Sequence, residues 1–419
     1  MPALCFFRES AKRNFHNQRK SKGLKRKWSR FVCLFSLFIA FSNNAVALER
    51  RDVSGEMQWT SAALQGAAGM GAFSESWVDQ AQTDVSLLAR RRGSFEMEFI
   101  SPTLVVSRDA SNSILDTVKT FSESNGTSNS TSSAQSTANA LDKVRGVFGK
   151  SMTAQFNGAV IAPRIGRVGI APYLSAGLDA SIDNAAWPKL DTFGGGYAGV
   201  LMSYAQVIKK DFDLGVALRP GVGGYRSYDL DLSLFGEFIT GRGDNSAQDP
   251  AKMLEFPTAF YCPLDIAAAW WMSPSTRFHL TSKNTFDALP LSSVSGLAGP
   301  IQNRLNVGFS QDVSLSGSKN QSLLVGGEIQ DLAGMKRGWN ELLLRTQWAA
   351  RYAVKLPFRD QSTFALNVGL HSGFPVVSIF LDLFITKFEF ALSARENGGY
   401  PGQRPNRLQT LSLRSQMQF

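Results

Sequence analysis

Residues that could do chemistry are few and scattered in this 419-residue chain. Beyond residue 50 the only histidines are His279 and His371, far apart in sequence, and neither lies in a spacing typical of a metal site. Cys262 is the only cysteine in that part, so we expect no intrachain disulfide there. No Ser-His-Asp set, paired-carboxylate motif, phosphate loop or nucleotide fingerprint rises above chance. We therefore predict that the chain is not an enzyme and holds neither a metal nor a cofactor.

Two short motifs have ordinary explanations. Arg242-Gly243-Asp244 matches an adhesion tripeptide, but it lies in a polar stretch where Gly and Asp are common turn residues, and we put adhesion below roughly one in ten. Asn125 and Asn129 begin NGT and NST, which match glycosylation acceptors, within a Ser/Thr/Asn-rich segment. Neither motif defines a function.

The net charge of +10 is concentrated at the N-terminus. Ten Lys or Arg residues precede Ala47, against one acid, Glu9, so the rest of the chain carries about +1. A basic nucleic-acid-binding surface is therefore not expected.

An export signal follows this basic stretch. The apolar run Phe31–Phe41 is too short for a membrane-spanning helix, which needs roughly 20 residues. Ala45 and Ala47 then supply the small residues that a signal peptidase reads, so we predict a signal peptide over residues 1–47. The alternative is an uncleaved anchor, which the short apolar run disfavours. Cys33 opens the apolar run instead of following it, which argues against a lipoprotein.

The elements of the remaining chain alternate with a period of two, which is typical of strands with one apolar and one polar face. The clearest case is Leu342–Val354, where Leu342, Leu344 and Trp348 share one face and the candidate lumen-facing residues Arg345, Gln347 and Arg351 share the other. The same alternation appears in these stretches: Met152–Val160, Phe212–Leu218, Leu305–Phe309, Phe364–Leu370 and Phe388–Leu392.

Strand length distinguishes a membrane barrel from a soluble sandwich, which also alternates. These stretches approach the ~10 residues of a tilted membrane strand. Aromatic residues that could form interfacial girdles, or equally belong to the core, are Trp348, Tyr352, Trp270 and Trp271. We predict an all-β fold: a transmembrane antiparallel β-barrel over 93–419, with about 14 strands (12–14).

Connections and inserts complete the predicted organisation. Tight turns at Lys209–Asp211 and Gly317–Gln321 contrast with long polar loops at Gly236–Pro257 and Glu396–Asn406. A flexible insertion near 109–150 contains a Ser/Thr-rich centre between two short helical patterns. Residues 48–92 are rich in Ala, Gly and Ser and predict a small N-terminal plug, with Gly66, Gly69, Gly71 and Asp79 as candidate plug residues.

The last strand carries the strongest single signal. Leu411, Leu413, Met417 and Phe419 alternate with polar residues up to the chain end. A terminal Phe alone occurs in roughly one chain in twenty-five, so the prediction of a membrane strand rests on the whole alternation.

Three stretches resemble FadL-like outer-membrane barrels, the fatty-acid and hydrocarbon transporter group with TraF-like and PorV-like relatives. They are the glycine-rich Gly66–Gly93, the motifs GGEIQDL at Gly326 and GLHSGFP at Gly369, and the final Glu396–Phe419. One departure concerns Thr83–Arg91, TDVSLLARR, where many members carry Asn-Pro-Ala before a Gly-Leu.

The resemblance implies a barrel of about fourteen strands in the bacterial outer membrane, with an N-terminal segment inside the lumen. It also implies that the outer-membrane assembly machinery reads the C-terminal strand. Two functions follow as hypotheses: passive transport of small hydrophobic molecules, or a structural, assembly or secretion-accessory barrel that holds a partner protein. The absence of the Asn-Pro-Ala element favours the second hypothesis, a barrel that holds a partner protein. Outer-membrane lipid is the expected surrounding, and no nucleic-acid partner is expected.

Overall fold

A computed structural model gives the fold. It describes residues 61–91, 93–99, 102–107, 151–159, 161–182, 189–231, 258–285, 292–293, 303–313, 315, 320–332, 339–356, 362–383, 385–396 and 405–418. The predicted signal peptide with Ala45 and Ala47, the insertion near 109–150, the loop Gly236–Pro257, residues 397–404 of the loop Glu396–Asn406, and Phe419 lie outside these residues.

Fourteen antiparallel strands form a closed barrel. Each strand pairs with the next along the chain, and the first pairs with the last, which removes any free sheet edge. The prediction of a transmembrane barrel of about fourteen strands is therefore confirmed. The strands are β1 (Phe95–Phe99 and Thr103–Ser107), β2 (Ser151–Ala159 and Ile161–Ile165), β3 (Val168–Ile182), β4 (Lys189–Lys209), β5 (Phe212–Leu218 and Gly221–Asp231), β6 (Thr258–Tyr261 and Leu264–Ser273), β7 (Thr276–Lys283 and Ser292–Ser293), β8 (Arg304–Val313), β9 (Gln321–Ile329), β10 (Thr346–Lys355), β11 (Thr363–His371), β12 (Phe374–Asp382), β13 (Thr386–Glu396) and β14 (Pro405–Gln418).

The two faces of the wall differ as the alternation requires. Large apolar side chains point outward and are exposed, for example Leu174, Val368 and Leu411, which is 56% exposed. Polar and charged side chains one residue along point inward and are buried, for example Asn367 and Ser412. An apolar exterior around a polar interior is the architecture of an outer-membrane β-barrel. Among the described residues, no helix is both long and apolar enough to cross a membrane.

Tight connections cluster at one end of the barrel. Gly166 and Arg167 join β2 to β3, with Gly166 at a φ of 57°, and the predicted turn at Lys209–Asp211 joins β4 to β5. At the opposite end Ser372 and Gly373 join β11 to β12, both with positive φ, as a two-residue hairpin turn requires.

Residues 61–91, here called the inner segment, fold into short helices inside the barrel. These are α1 (Ala62–Gly66), a 3-10 turn at Gly71–Phe73, α2 (Trp77–Thr83) and a 3-10 turn at Val85–Arg90. Side chains that precede three of them accept backbone N–H groups: Ser61 caps α1, Ser76 caps α2 and Asp84 caps the second 3-10 turn.

One predicted strand begins too early. Residues Trp339–Arg345 form a helix, α3, and β10 begins only at Thr346, so the prediction of a strand from Leu342 is wrong for its first four residues. The run WNELLLR has strong helix formers and three consecutive leucines without a period of two. Arg345 therefore ends a helix and pairs with Asp331; it is not a lumen-facing residue of the strand.

Candidate functional site

The barrel interior around the inner segment is the candidate site. The segment's large apolar side chains, such as Trp77 and Phe73, have 0% exposure, and so does Asp79. Glycines of the wall provide close approaches: a Cβ added at Gly169 would collide with the Trp77 ring, and one at Gly215 would lie 2.7 Å from the Ser86 nitrogen. The segment thus fits against the wall because glycine has no side chain at these positions.

One half of the inner wall carries an apolar cluster. On β2–β6 many inward positions carry alanine or tyrosine, and the segment's Trp77, Val78, Ala81, Val85 and Leu88 pack against them as one buried cluster. The wall members of this cluster are Ala159, Ala162, Ala171, Tyr173, Tyr197, Leu201, Ala205, Ala217, Tyr261 and Ala267. The same strands also bury charged residues, namely Arg164, Asp213, Arg219 and Asp265. An apolar lining with few polar groups is what binding sites for small hydrophobic molecules have.

The wall is incompletely paired beside this cluster. β2 and β3 pair at Arg164–Gly169 and again from Ala159–Tyr173 onward. Among the described residues between these points, Ile161, Ala162 and Pro163 have no register partner on β3. Pro163 and Pro172 supply no N–H donor at this place. The Trp77 indole Nε1 donates instead to the Ala162 carbonyl, at 3.2 Å.

Tyrosines extend the apolar lining away from Trp77. The Tyr173 and Tyr197 rings lie 5.5 Å apart between centroids. The Tyr197 hydroxyl donates to the Arg219 carbonyl, where β5 is interrupted before Pro220. Its ring lies over Gly199 and Gly221, since an added Cβ at either would be 2.6 Å from a Tyr197 ring atom. Apolar surface therefore continues from Trp77 to the interruption of β5.

The opposite half of the inner wall, β7–β14, is ionic. Arg414 on β14 is a buried charge, and its Nη2 donates to Asp79 at 2.7 Å. The Arg414 Nη1 lies 3.8 Å from Glu98 on β1, and its Nε lies 3.4 Å from Glu389 on β13. One guanidinium thus faces three carboxylates from three different elements.

A second ionic contact joins the segment to β7. The Arg277 guanidinium donates to Asp84 and to Ser86 Oγ, and His279 contacts Glu328 on β9 at 3.1 Å. Burial raises the pKa of Asp84, but the charges of Arg277 and His279 outweigh it, so the pKa is lowered below the ordinary 3.8. Asp84 is therefore held ionised.

A third contact involves Glu75. Arg351 on β10 donates to Glu75 and, at 2.6 Å, to the Phe73 carbonyl, and the Lys387 Nζ on β13 lies 3.5 Å from Glu75. Burial raises the pKa of Glu75, but the positive charges of Arg351 and Lys387 lower it by more. The pKa of Glu75 is therefore below its usual range. The ionic half of the wall therefore binds the segment at three separate points.

The structure places the predicted site residues as follows. Gln347 and Arg351 face inward and are buried, whereas Trp348 and Tyr352 face outward, Trp348 with 50% exposure. Trp271, a girdle candidate, instead donates to Asp213 inside the barrel at 2.6 Å. Of the assembly-signal residues, Leu411, Leu413 and Met417 face outward.

The candidate plug residues lie inside the barrel. Gly66 abuts Ser378, and Gly71 abuts Thr83. Gly69 has a φ of 85°. Asp79 accepts hydrogen bonds from Ser61, Ser74 and Arg414.

Sequence reasoning missed the residues that join the segment to the wall: Trp77, Asp84, Glu98, Arg277 and Glu389. A charged residue at an inward position of a strand was the available signal. It does not identify a partner, because the partner lies in another element, as with Asp79 and Arg414, which are 335 residues apart.

Comparisons with known proteins give structural matches alone. No family model matches the chain, and no curated protein does. The toluene transporter TodX of Pseudomonas putida aligns with a TM-score of 0.42 and 7% identity over 86% of this chain and 97% of its own. The monoaromatic hydrocarbon channel CymD gives 0.41 and 11% over 86% and 97%, and a Pseudomonas aeruginosa FadL homologue gives 0.30 and 9% over 87% and 99%. At these values the barrel assignment rests on the chain's own strand pairing.

Proposed function

We propose that this protein lets small hydrophobic molecules pass the outer membrane passively. The observation that carries the proposal is the apolar lining on β2–β6, which ends where Ile161–Pro163 lacks register partners on β3 and is covered from inside by Trp77. A hydrophobic solute moving along this lining exchanges one apolar contact for another. Two buried charges of the same strands, Asp213 and Arg219, are paired with Arg90 and Asp265.

Movement of Trp77 is the step that the proposal requires. Its ring fills the space over Gly169, and a single neutral hydrogen bond to Ala162 holds its indole. Such a bond contributes about 1 kcal/mol net. The ion pairs on the far side keep the rest of the segment in place meanwhile.

Uptake by whole cells tests the proposal, because an intact lipopolysaccharide layer slows hydrophobic solutes that cross phospholipid vesicles unaided. Cells without an endogenous hydrocarbon channel would express the protein, and uptake of labelled toluene would be measured per amount of folded barrel. Hydrolysis of a polar β-lactam by a periplasmic β-lactamase serves as the control. Toluene uptake should rise above that of vector cells while β-lactam hydrolysis stays unchanged.

Two results would contradict transport of hydrophobic molecules. A rise in both rates would indicate a water-filled pore. Toluene uptake equal to that of vector cells would favour the second candidate function, a barrel that holds a partner protein. The observation behind that candidate is the ionic fixation of the segment by Arg414, Arg277 and Arg351, which suits a barrel that stays filled.

Targeting belongs to the same proposal. Residues 1–47 would be removed as a signal peptide, and the assembly machinery would recognise β14, whose outward residues include Leu411, Leu413 and Met417. Deletion of Phe419 should lower the yield of membrane-inserted protein but leave the heat-modifiable gel shift of the folded fraction. Normal yield with a lost gel shift would make Phe419 a stability residue.

A further inference from the structure

The junction between β1 and β14 differs from every other junction of the wall, because no turn connects the first strand to the last. Among the described residues, Glu96–Phe99 pairs with Ser415–Gln418 through four register pairs, and Thr103–Ser107 pairs with Leu408–Ser412 through five. Between β13 and β14 there are eleven pairs, and a chain connection joins those two strands as well. The closing junction therefore has a ladder but no turn to hold its strands together.

The inner segment binds both sides of this junction from inside the barrel. On the β14 side the Ala62 N–H donates to Ser412 Oγ at 2.9 Å, and Asp79 accepts from Arg414. On the β1 side Glu98 accepts from the Trp77 N–H at 2.9 Å and from Ser76 Oγ at 2.8 Å. Ser76 and Trp77 adjoin Asp79 in sequence, so one turn of α2 spans the junction.

A second bridge lies at the tight-turn end of the barrel. Glu96 on β1 accepts from Arg91 Nε at 2.8 Å and from Arg164 Nε on β2 at 2.9 Å. Gln416 on β14 also donates to Glu96. The inner segment, β1, β2 and β14 thus meet at one buried carboxylate.

We propose that the inner segment is the clamp that keeps the barrel closed between β1 and β14. Asp79 is its central residue, because Arg414 Nε and Nη1 make no hydrogen bond among the described residues and the Nη2 bond goes to Asp79. Without Asp79, a buried guanidinium on β14 would keep no hydrogen bond to the segment that also holds β1. The junction would then depend on its backbone ladder, of which nine register pairs lie among the described residues.

Hydrogen exchange on the purified full-length barrel in detergent tests the proposal. Asp79→Asn should make the amides of 95–107 and 405–418 exchange about tenfold faster, while 276–283 on β7 keeps its parent rate. Asp84→Asn is the matched control, because Asp84 is an equally buried carboxylate of the same segment that binds Arg277 on β7. It should accelerate 276–283 and leave the β1 and β14 amides unchanged.

A milder variant and a crosslink keep the test decisive if Asp79→Asn fails to fold. Ser76→Ala removes one donor to Glu98 and should accelerate 95–107 to a smaller extent. In a Cys262→Ser background, a disulfide between Met97→Cys and Met417→Cys, which are register partners across the junction, should restore folding of Asp79→Asn. The proposal is overturned if Asp79→Asn and Ser76→Ala leave the junction at the parent rate, if Asp84→Asn loosens it equally, or if the disulfide does not rescue an unfolded Asp79→Asn.

Discussion

The two halves of the inner wall hold the same segment by different interactions. On β2–β6, Trp77, Val85 and Leu88 pack against alanines and tyrosines, and Arg90 near the end of the segment pairs with Asp213. On β7–β14, Asp79, Asp84 and Glu75 pair with arginines. Apolar contacts are non-directional, whereas a buried ion pair is lost at high cost when its geometry changes. The Trp77 side chain is therefore free to make small movements, whereas the ion pairs hold the rest of the segment in place.

The largest expected effect comes from breaking an ion pair of the ionic half. Asp84→Ala should lower the free energy of unfolding by about 3–5 kcal/mol, because it leaves Arg277 buried without its carboxylate. Urea unfolding of the detergent-solubilised barrel measures this loss. The double variant Asp84→Ala/Arg277→Met should be more stable than Asp84→Ala alone; if it is less stable, the buried charge is not the cause.

A smaller effect should follow from overpacking the apolar half. Gly169→Ala places a Cβ against the Trp77 ring and 2.8 Å from Ser203 Oγ, and should cost about 1–3 kcal/mol. Gly177→Ala on the same strand is the matched control, since the nearest atom to its new Cβ is 3.7 Å away. Equal unfolding free energies for the two variants would show that Trp77 does not pack tightly over Gly169.

The smallest effect should be the part of the acid sensitivity that Asp84 contributes. Since the pKa of Asp84 is lowered in the folded state, its stabilising contribution is present above its ordinary pKa of 3.8 and is lost as the pH falls below that value. Urea midpoints measured from pH 6 downward should fall less steeply in Asp84→Asn than in the parent. Parallel curves would mean that Asp84 does not contribute to acid sensitivity.

Much of the wall could be predicted from the sequence because strand alternation is a local property. Asp213, Gln347, Arg351 and Arg414 occupy inward positions, as their alternation with apolar neighbours indicates. The same rule failed at Leu342–Arg345, where helix-forming residues directly precede the strand. Arg substituted at Leu344 would consequently test a helix and not a lipid-facing strand.

The contacts inside the barrel could not be predicted in the same way. The carboxylate that Arg414 binds is set by the closure of the whole barrel. The position of Trp77 depends on wall glycines, which carry no apolar or polar side chain and so add nothing to a strand pattern. Asp79 and the glycine-rich stretch were recognised as distinctive, but their partners lie on strands hundreds of residues away. The composition thus indicated the inner segment, but only the fold shows which of its residues contact the apolar half of the wall and which contact the ionic half.

The central claim is that the Trp77 side chain moves at the apolar half while the contacts at the ionic half stay in place. Toluene uptake by cells that express Trp77→Ala or Phe73→Ala tests it most directly. Both side chains are fully buried aromatics of the inner segment, but Phe73 packs near Gly326 and Ala349 on β9 and β10, on the ionic half. Trp77→Ala should raise toluene uptake severalfold at equal amounts of folded barrel, with Phe73→Ala at the parent rate and β-lactam hydrolysis unchanged in both. An unchanged rate in Trp77→Ala, or an equal rise in Phe73→Ala, would contradict the account.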